Sequence, residues 1–443
     1  MLCLVAGALA PRVAPAQDTT PDSAVAYLDS VAALVRRSHW DTTVVGARWE
    51  ELQRALRDSL RATPTVAEAR RRAAQLLGAL GTSHFTVLPS SAAPGEPTGD
   101  GTLRLRLRVY WPYVLLMDVP PASTAWNAGL RAGQLLETIR GRPVAELLAP
   151  LGAMPPRLRD THGPGIVLRA LAGEVGSPIR VGVRELSGQY LERFVARERP
   201  AGEALEAMGL PPQPAEFEAW TLRHDGMRIG AIRFGVWLPQ LAARIDSAVD
   251  RLRDADAIVL DLRGNPGGAA LMATGVAGHF VDDTLVLATL RTRTGTLRYR
   301  TNPRRVSRDG RPVRPFAGPL VLLVDAGSAS TTELFAGALQ QARRAIVVGD
   351  TSAGMALPAQ TSLLPFGDRL LHAIADLRLA DGRSLEGAGV VPDVAVAIDR
   401  RRLALGQDPE FLVAAAVAAS RARAAQLGRP APAGAAPPAR PTR

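Results

Sequence analysis

Lysine is missing from this 443-residue chain, and all 53 of its basic side chains are arginine. A guanidinium keeps its proton in a protein, so no side-chain amine is available as a general base or Schiff-base former. Cysteine is almost missing too. Cys3 stands alone, which excludes a disulfide framework and a cysteine-ligated metal. The six histidines are dispersed and show no H-E-x-x-H spacing, so no metal is expected. The run Gly264-Asn265-Pro266-Gly267-Gly268 lacks the lysine of a phosphate loop, and no cofactor is expected. Aromatic residues are only 5% of the chain, and the arginines are scattered ("RRSHW", "EARRRAAQ", "NPRRVSRDGRPVRP") without interleaved aromatics. A formal charge of +11 therefore does not describe a nucleic-acid surface, and no nucleic-acid partner is expected. Past the first residues no apolar run is long enough to cross a membrane, so no integral membrane segment is expected.

What is present is a chain with 47% apolar residues, enough for two or three domains. It opens with "MLCLVAGALAPRVAPAQDTT", a short apolar stretch ending in Ala14-Pro15-Ala16, an A-x-A-like cleavage signal. Residues 1–16 are expected to be a signal peptide without the usual positive start, a ragged N-terminus being the alternative. Cleavage would remove Cys3. Arginine without lysine and abundant alanine fit a GC-rich bacterial coding bias, so export to the periplasm or beyond is expected.

Residues 22–80 read as helices: "PDSAVAYLDSVAALVRRS" and "VAEARRRAAQLLGAL" carry apolar residues at helical spacing. "GTSHFTVLPSS" then turns into a short strand, and "SAAPGEPTGDG" reads as a linker. Strands follow in "TLRLRLRVYW", "YVLLMDV" and "PIRVGVREL", and "GLPPQPAEFEAW" marks a second boundary near 210–216. Beyond it, "RIGAIRFGVW", "AIVLDL", "PLVLLVD" and "AIVVGD" alternate with helical stretches at 241–255 and "TELFAGALQQA". That order predicts a largely parallel, buried sheet. The expected division is 17–99 helical, 100–210 β-rich, 211–405 α/β, a helix at 406–427 and a Pro/Ala-rich tail at 428–443.

Two stretches could carry chemistry. "AIVLDLRGNPGG", residues 257–268, ends an apolar strand in glycines that allow close backbone approach and could aim N–H groups at developing negative charge. The commoner origin of such a turn is structural. In "GSASTTELFAGAL", Ser330 and Glu333 form a capping box, which is structural by itself. A serine at a helix start nonetheless sits in a positive field beside unpaired N–H groups, a setting that suits acyl chemistry.

"DLRGNPGG", "GSASTTELFAGAL", "RRAIVVGDTSAG" and "EGAGVVPDVAV" follow the order seen in tail-specific (C-terminal processing) and tricorn-like serine proteases, which this chain resembles over about residues 22–400. The resemblance implies an α/β fold with a spiral β-α-β, crotonase/ClpP-like protease domain. Upstream, "DVPPASTAWNAGLRAGQLLETIRGRPV" resembles a PDZ core, departing from it at Gln134, where an Asp usually follows the Gly. It implies a PDZ-like β-rich domain at 100–210 beside an N-terminal helical segment.

By the same resemblance Ser330 holds the nucleophile position. The larger branch places a lysine base in "G-x-x-T-x-G-K"; here Gly349-Asp350-Thr351-Ser352-Ala353-Gly354-Met355 puts Met355 at that place. Histidine, with an ordinary pKa of ~6.5, is the natural substitute. "GTSHFTVLP" resembles the Ser-His pair of the tricorn-like branch, which implies His84 as base, Ser83 beside it, and Glu386 of "SLEGAGVVPD" as the orienting carboxylate. The oxyanion would meet backbone N–H groups of Gly267 or Gly268 and of Thr331. Asp261, Arg263, Asp350 and Asp393 read as structural supports. The expected substrate is a peptide or protein. The alternative is an inactive protein on the same fold, binding peptide through the PDZ-like part or apolar ligands as interphotoreceptor retinoid-binding repeats do.

Overall fold

The structure, a computed structural model, describes residues 19–91, 98–207 and 210–428. The expected signal peptide at 1–16, part of the first linker and the tail after residue 428 lie outside them.

The apolar runs of the second half form one six-stranded sheet in the order Phe217–His224, Met227–Phe234, Ala257–Asp261, Leu320–Val324, Ala345–Gly349, Val394–Ala395. The first two strands pair as an antiparallel hairpin, and every later neighbour is parallel. Ala257–Asp261 and Leu320–Val324 are buried at every position, as a parallel strand covered on both faces must be. Strand periodicity sends Ile258, Leu260, Leu322 and Val324 to one face, in the core containing the helices Ala270–Ala277 and Thr331–Gln341. Val259, Val321 and Leu323 turn to the other face and meet the helix Pro409–Leu427 through Ala414, Ala418, Ala419 and Ala422. The C-terminal helix is therefore packed into the sheet's own body.

Three of these parallel strands end side by side, so the loops after them, 262–269, 325–330 and 350–358, gather at one edge. In open α/β sheets the carboxyl ends of the strands are where ligands are met.

The N-terminal helices Pro21–Ser38, Ala47–Ala62 and Val66–Gly78 share a core with Leu357, Leu364, Leu370 and Ala373. Strand Thr86–Leu88 then pairs antiparallel with Arg369–Ala373, which also pairs with Ala359–Leu363. Arg70 clasps the buried carboxylate of Asp368 with two 2.8 Å bonds, and the Tyr27 hydroxyl donates to it at 2.7 Å. This clasp and the three-stranded sheet bring the front of the chain to residues nearly three hundred positions later.

Between them, strands Arg106–Tyr110, Tyr113–Asp118, Leu135–Ile139, Pro178–Arg184 and Tyr190–Ala196 form an antiparallel sheet with its own core and the helix Pro156–Leu171. Arg108 ties this unit to the large sheet, donating to the fully buried Glu410 at 2.7 and 3.0 Å and to Asp325 at 3.0 Å. At the boundary expected near 210–216 the chain forms a strand: Leu210–Ala215 pairs with Glu203–Ala207 in a two-stranded hairpin. A two-stranded ribbon has only edge strands, so prolines without an N–H fit there. No helix among the described residues is long and apolar enough to cross a membrane.

Candidate active site

Ser330 sits between the buried strand Leu320–Val324 and the helix Thr331–Gln341, half-buried, with φ 55° and ψ −116°. That conformation is sparsely populated by L-residues and costs of order 1–3 kcal/mol unless its surroundings hold it. Two acceptors hold it here. Ser330 N–H donates to Met355 O at 2.9 Å and to Glu333 Oε2 at 3.1 Å. Ser330 therefore caps its helix from a strained turn, a geometry that sets a nucleophilic hydroxyl out from its sheet.

Glu333 is more than a cap. It is fully buried, and its carboxylate also accepts from Ser352 Oγ at 2.6 Å, Gly354 N at 2.7 Å and Met355 N at 2.8 Å. Sequence reasoning missed this hub, because a Glu three residues after a Ser carries the same signal in any capped helix. Burial pushes its pKa up to about 7, against the pull of these hydrogen bonds. The ionised form accepts all four donors; a protonated carboxyl must surrender one acceptor position to its own O–H. Labelling of Ser330 by a serine-directed phosphonate should therefore fall as pH drops through about 7. The native state holds this proton more tightly than the unfolded chain does. Its contribution to stability is therefore present below the unfolded value of 4.5 and is lost as pH rises through about 7, opposite to the reactivity. A labelling rate flat from pH 6 to 8 would contradict this.

The glycine turn lies directly against the serine. A Cβ placed on Gly267, at φ 97°, would stand 2.7 Å from Ser330 Cβ and 2.8 Å from Ala329 O. One placed on Gly268 would lie 2.3 Å from Trp237 O. Gly267→Ala should accordingly displace Ser330 or the turn and remove labelling, measured beside the melting temperature. Wild-type labelling would show the turn to be slack. One expectation needs correcting: Gly267 N–H donates to Asn265 Oδ1 at 2.9 Å and is not free for an oxyanion. The N–H groups of Gly268 and Thr331 find no protein acceptor among the described residues. Thr331 Oγ1 donates to Gly268 O at 2.8 Å, tying these two together.

Ser83, His84 and Glu386 meet as a chain. Ser83 N–H donates to Glu386 Oε1 at 2.7 Å, and Ser83 Oγ donates to Glu386 Oε2 at 2.9 Å. Ser83 Oγ is 2.7 Å from His84 Nδ1. The hydroxyl has one proton and gives it to the carboxylate, so it accepts from the ring. Nδ1 thus carries the hydrogen and Nε2 the lone pair, the tautomer a general base needs. Burial pushes the His84 pKa down to about 3, keeping the ring neutral at ordinary pH. Burial also raises Glu386 above the usual carboxylate range.

The two halves share one segment. Met355 O accepts from Ser330 N–H, and the next residue, Ala356, donates its N–H to Glu386 Oε2 at 3.0 Å. Met355, where a lysine would stand, is buried against Ala329 and Ala353. Asp261, Arg263, Asp350 and Asp393 act as supports. Arg263 joins Asp261, Asp408 and Glu410, while Asp350 accepts from Thr351 N and Asp393 from Val347 N. Sequence reasoning also missed Asp325, which takes Gly264 N at 2.8 Å and Gly327 N at 2.9 Å and so locks the glycine turn to the serine turn.

A strained serine at the end of a buried parallel strand and, through the shared 355–356 segment, a histidine of fixed tautomer with its carboxylate are parts that serine-nucleophile chemistry uses. Residues 228–396 match Peptidase family S41. It is 27% identical over 288 residues to carboxyl-terminal-processing peptidase 3, chloroplastic, of Arabidopsis thaliana, covering 64% of this chain and 50% of the relative. It is 30% identical over 174 residues to a carboxyl-terminal-processing protease of Picosynechococcus, covering 39% of this chain and 40% of the relative. The chain thus spans half the length or less of these relatives. In solved structures the fold recurs in the photosystem II D1 C-terminal processing protease, at TM-score 0.54 and 20% identity over 88% of this chain and 99% of that one. It recurs also in mature CPAF complexed with lactacystin, at TM-score 0.62 and 14% identity over 92% and 99%.

Proposed function

We propose that this protein is an exported serine endopeptidase that forms an acyl-enzyme on Ser330, with His84 as its general base. The observation that carries this reading is the Glu386–Ser83–His84 chain, whose proton directions leave His84 Nε2 as an acceptor and whose carboxylate shares the Met355–Ala356 segment with Ser330. As the Ser330 oxygen bonds to the peptide carbonyl carbon, its proton passes to His84 Nε2. The oxyanion is held by the N–H groups of Gly268 and Thr331, each worth on the order of 3 kcal/mol. His84 then protonates the leaving amine, and water repeats the sequence to release the acid.

Domain roles follow the expected boundaries. Residues 100–210 serve as a PDZ-like module that gathers extended peptide by strand addition, 17–99 deliver His84, and 211–405 carry the catalytic serine. Export to the periplasm or cell exterior follows from the N-terminal signal.

A fluorophosphonate probe tests the reading. It should modify the wild type on Ser330, and casein-derived peptides should be cleaved internally. Folded protein that takes no phosphonate at Ser330 and cleaves no peptide would instead be a binding protein on this fold.

A further inference from the structure

A similar pattern of proton directions occurs at a distance in sequence from that site. His372, in strand Arg369–Ala373, is 1% exposed, and both ring nitrogens meet serine hydroxyls. Ser38 Oγ lies 2.8 Å from Nδ1, and Ser362 Oγ lies 2.9 Å from Nε2. Ser38 gives its own proton to Leu34 O at 2.8 Å. It can therefore only accept from the ring, which puts the hydrogen on Nδ1 and the lone pair on Nε2. Ser362 is then the donor. A hydroxyl giving its proton to an imidazole that a third group orients is the arrangement that activates a serine nucleophile.

The surroundings suit a ligand. Ser362 is half-buried in strand Ala359–Leu363 and, with His372, lines a cleft of 800 Å³, within the size range of small-molecule sites. Arg37, Arg293 and Gln360 bring donors to its wall, and Leu34 and Ile374 give it an apolar part. Burial lowers the His372 pKa to about 4, so the ring is neutral at ordinary pH.

We propose that this cleft is a second acyl-transfer site, with Ser362 as nucleophile and His372 as base, acting on small esters that carry an anionic group. Ser362 Oγ forms a bond to the acyl carbon while its proton passes to His372 Nε2. The ester C–O bond breaks, and the departing alkoxide takes that proton. Water then adds in the same way, releasing the carboxylic acid and restoring Ser362. The two guanidinium groups of the wall favour an anionic acyl part.

The test uses full-length Ser330→Ala protein, so that the first site cannot answer for the second. Without lysine, trypsin cuts only after arginine, which places Ser362 in peptide 345–369 and residue 330 in peptide 309–343. After fluorophosphonate treatment, peptide 345–369 should carry the adduct on Ser362. Adding Ser362→Ala should remove it, and His372→Asn should slow it by about 10²-fold. Should His372→Asn fail to fold, Ser38→Ala, which removes the Nδ1 acceptor at the end of a helix, should slow labelling in its place. The Ser330→Ala protein should also hydrolyse p-nitrophenyl hemiglutarate faster than p-nitrophenyl butyrate, and Arg37→Ala should erase that preference. An unmodified Ser362, labelling indifferent to both His372→Asn and Ser38→Ala, or equal rates on the two esters would overturn the proposal. None of these results bears on Ser330.

Discussion

His84→Ala should slow phosphonate labelling and peptide cleavage at Ser330 by about 10⁴–10⁶-fold while leaving a folded protein. The serine keeps its strained turn, because Met355 O and Glu333 hold Ser330 N–H and neither depends on the ring. The N–H groups of Gly268 and Thr331 also remain, so under the proposed mechanism the loss reports the proton acceptor alone. Its structural cost is bounded, since the ring's hydrogen bond is to Ser83; truncation should lower stability by about 1–3 kcal/mol. Because the His84 pKa lies far below neutrality, the fall in reactivity near pH 7 should persist in whatever activity survives. Labelling at the wild-type rate in a folded His84→Ala protein would mean that another group takes the proton.

Glu386→Gln makes a subtler change with nearly as large an effect. The carboxylate accepts from Ser83 N–H, Ser83 Oγ and Ala356 N–H, and as an acceptor-only group it dictates where the Ser83 proton points. An amide supplies one oxygen and one NH₂. With its oxygen on Ser83 N–H, the NH₂ faces Ser83 Oγ, which then donates to His84 Nδ1. The ring must carry its hydrogen on Nε2 and loses the lone pair that the proposed mechanism needs there. A wrong tautomer of this kind costs about 10⁴ in kcat in serine proteases. The melting temperature should fall modestly, because the NH₂ that replaces Oε2 also faces Ala356 N–H and that hydrogen bond is lost, at a cost of about 1–3 kcal/mol. Glu386→Asp should not restore the rate because the shorter arm does not span to Ser83. A Glu386→Gln protein with wild-type kcat would show that the carboxylate does not set the tautomer.

Much of the sheet was legible, because its central strands are covered on both faces and so appear as unbroken apolar runs: "AIVLD", "LVLLV" and "AIVVG" stand where they were expected. Helices with one apolar stripe, such as Pro21–Ser38, were equally readable. The strand Leu210–Ala215 was not, since its prolines read as a boundary until a partner strand exists to pair with. Glu333 read as an ordinary cap, because nothing local to it announces that residues 352–355 fold back to give it three more donors. Gly267 was assigned a free N–H because a sequence shows that a glycine permits close approach and leaves open which neighbour takes its hydrogen; Asn265, two residues earlier, takes it.

By itself the sequence determined the chemistry that could not occur. A chain with no lysine has no amine base, and a lone Cys3 supplies neither disulfide nor metal cage, whatever the fold. It also determined the candidates, Ser330 at a helix start and six histidines among which a base could be sought. The tertiary structure decided which histidine joins Ser83 and Glu386 and which way their protons point. Pairing of Thr86–Leu88 with Arg369–Ala373 carries Ser83 to Glu386 across 303 positions, and only then does one hydroxyl's single proton fix the ring of His84. Proximity between distant residues and the direction of a hydrogen bond depend on the closed chain, and neither is a property of local sequence.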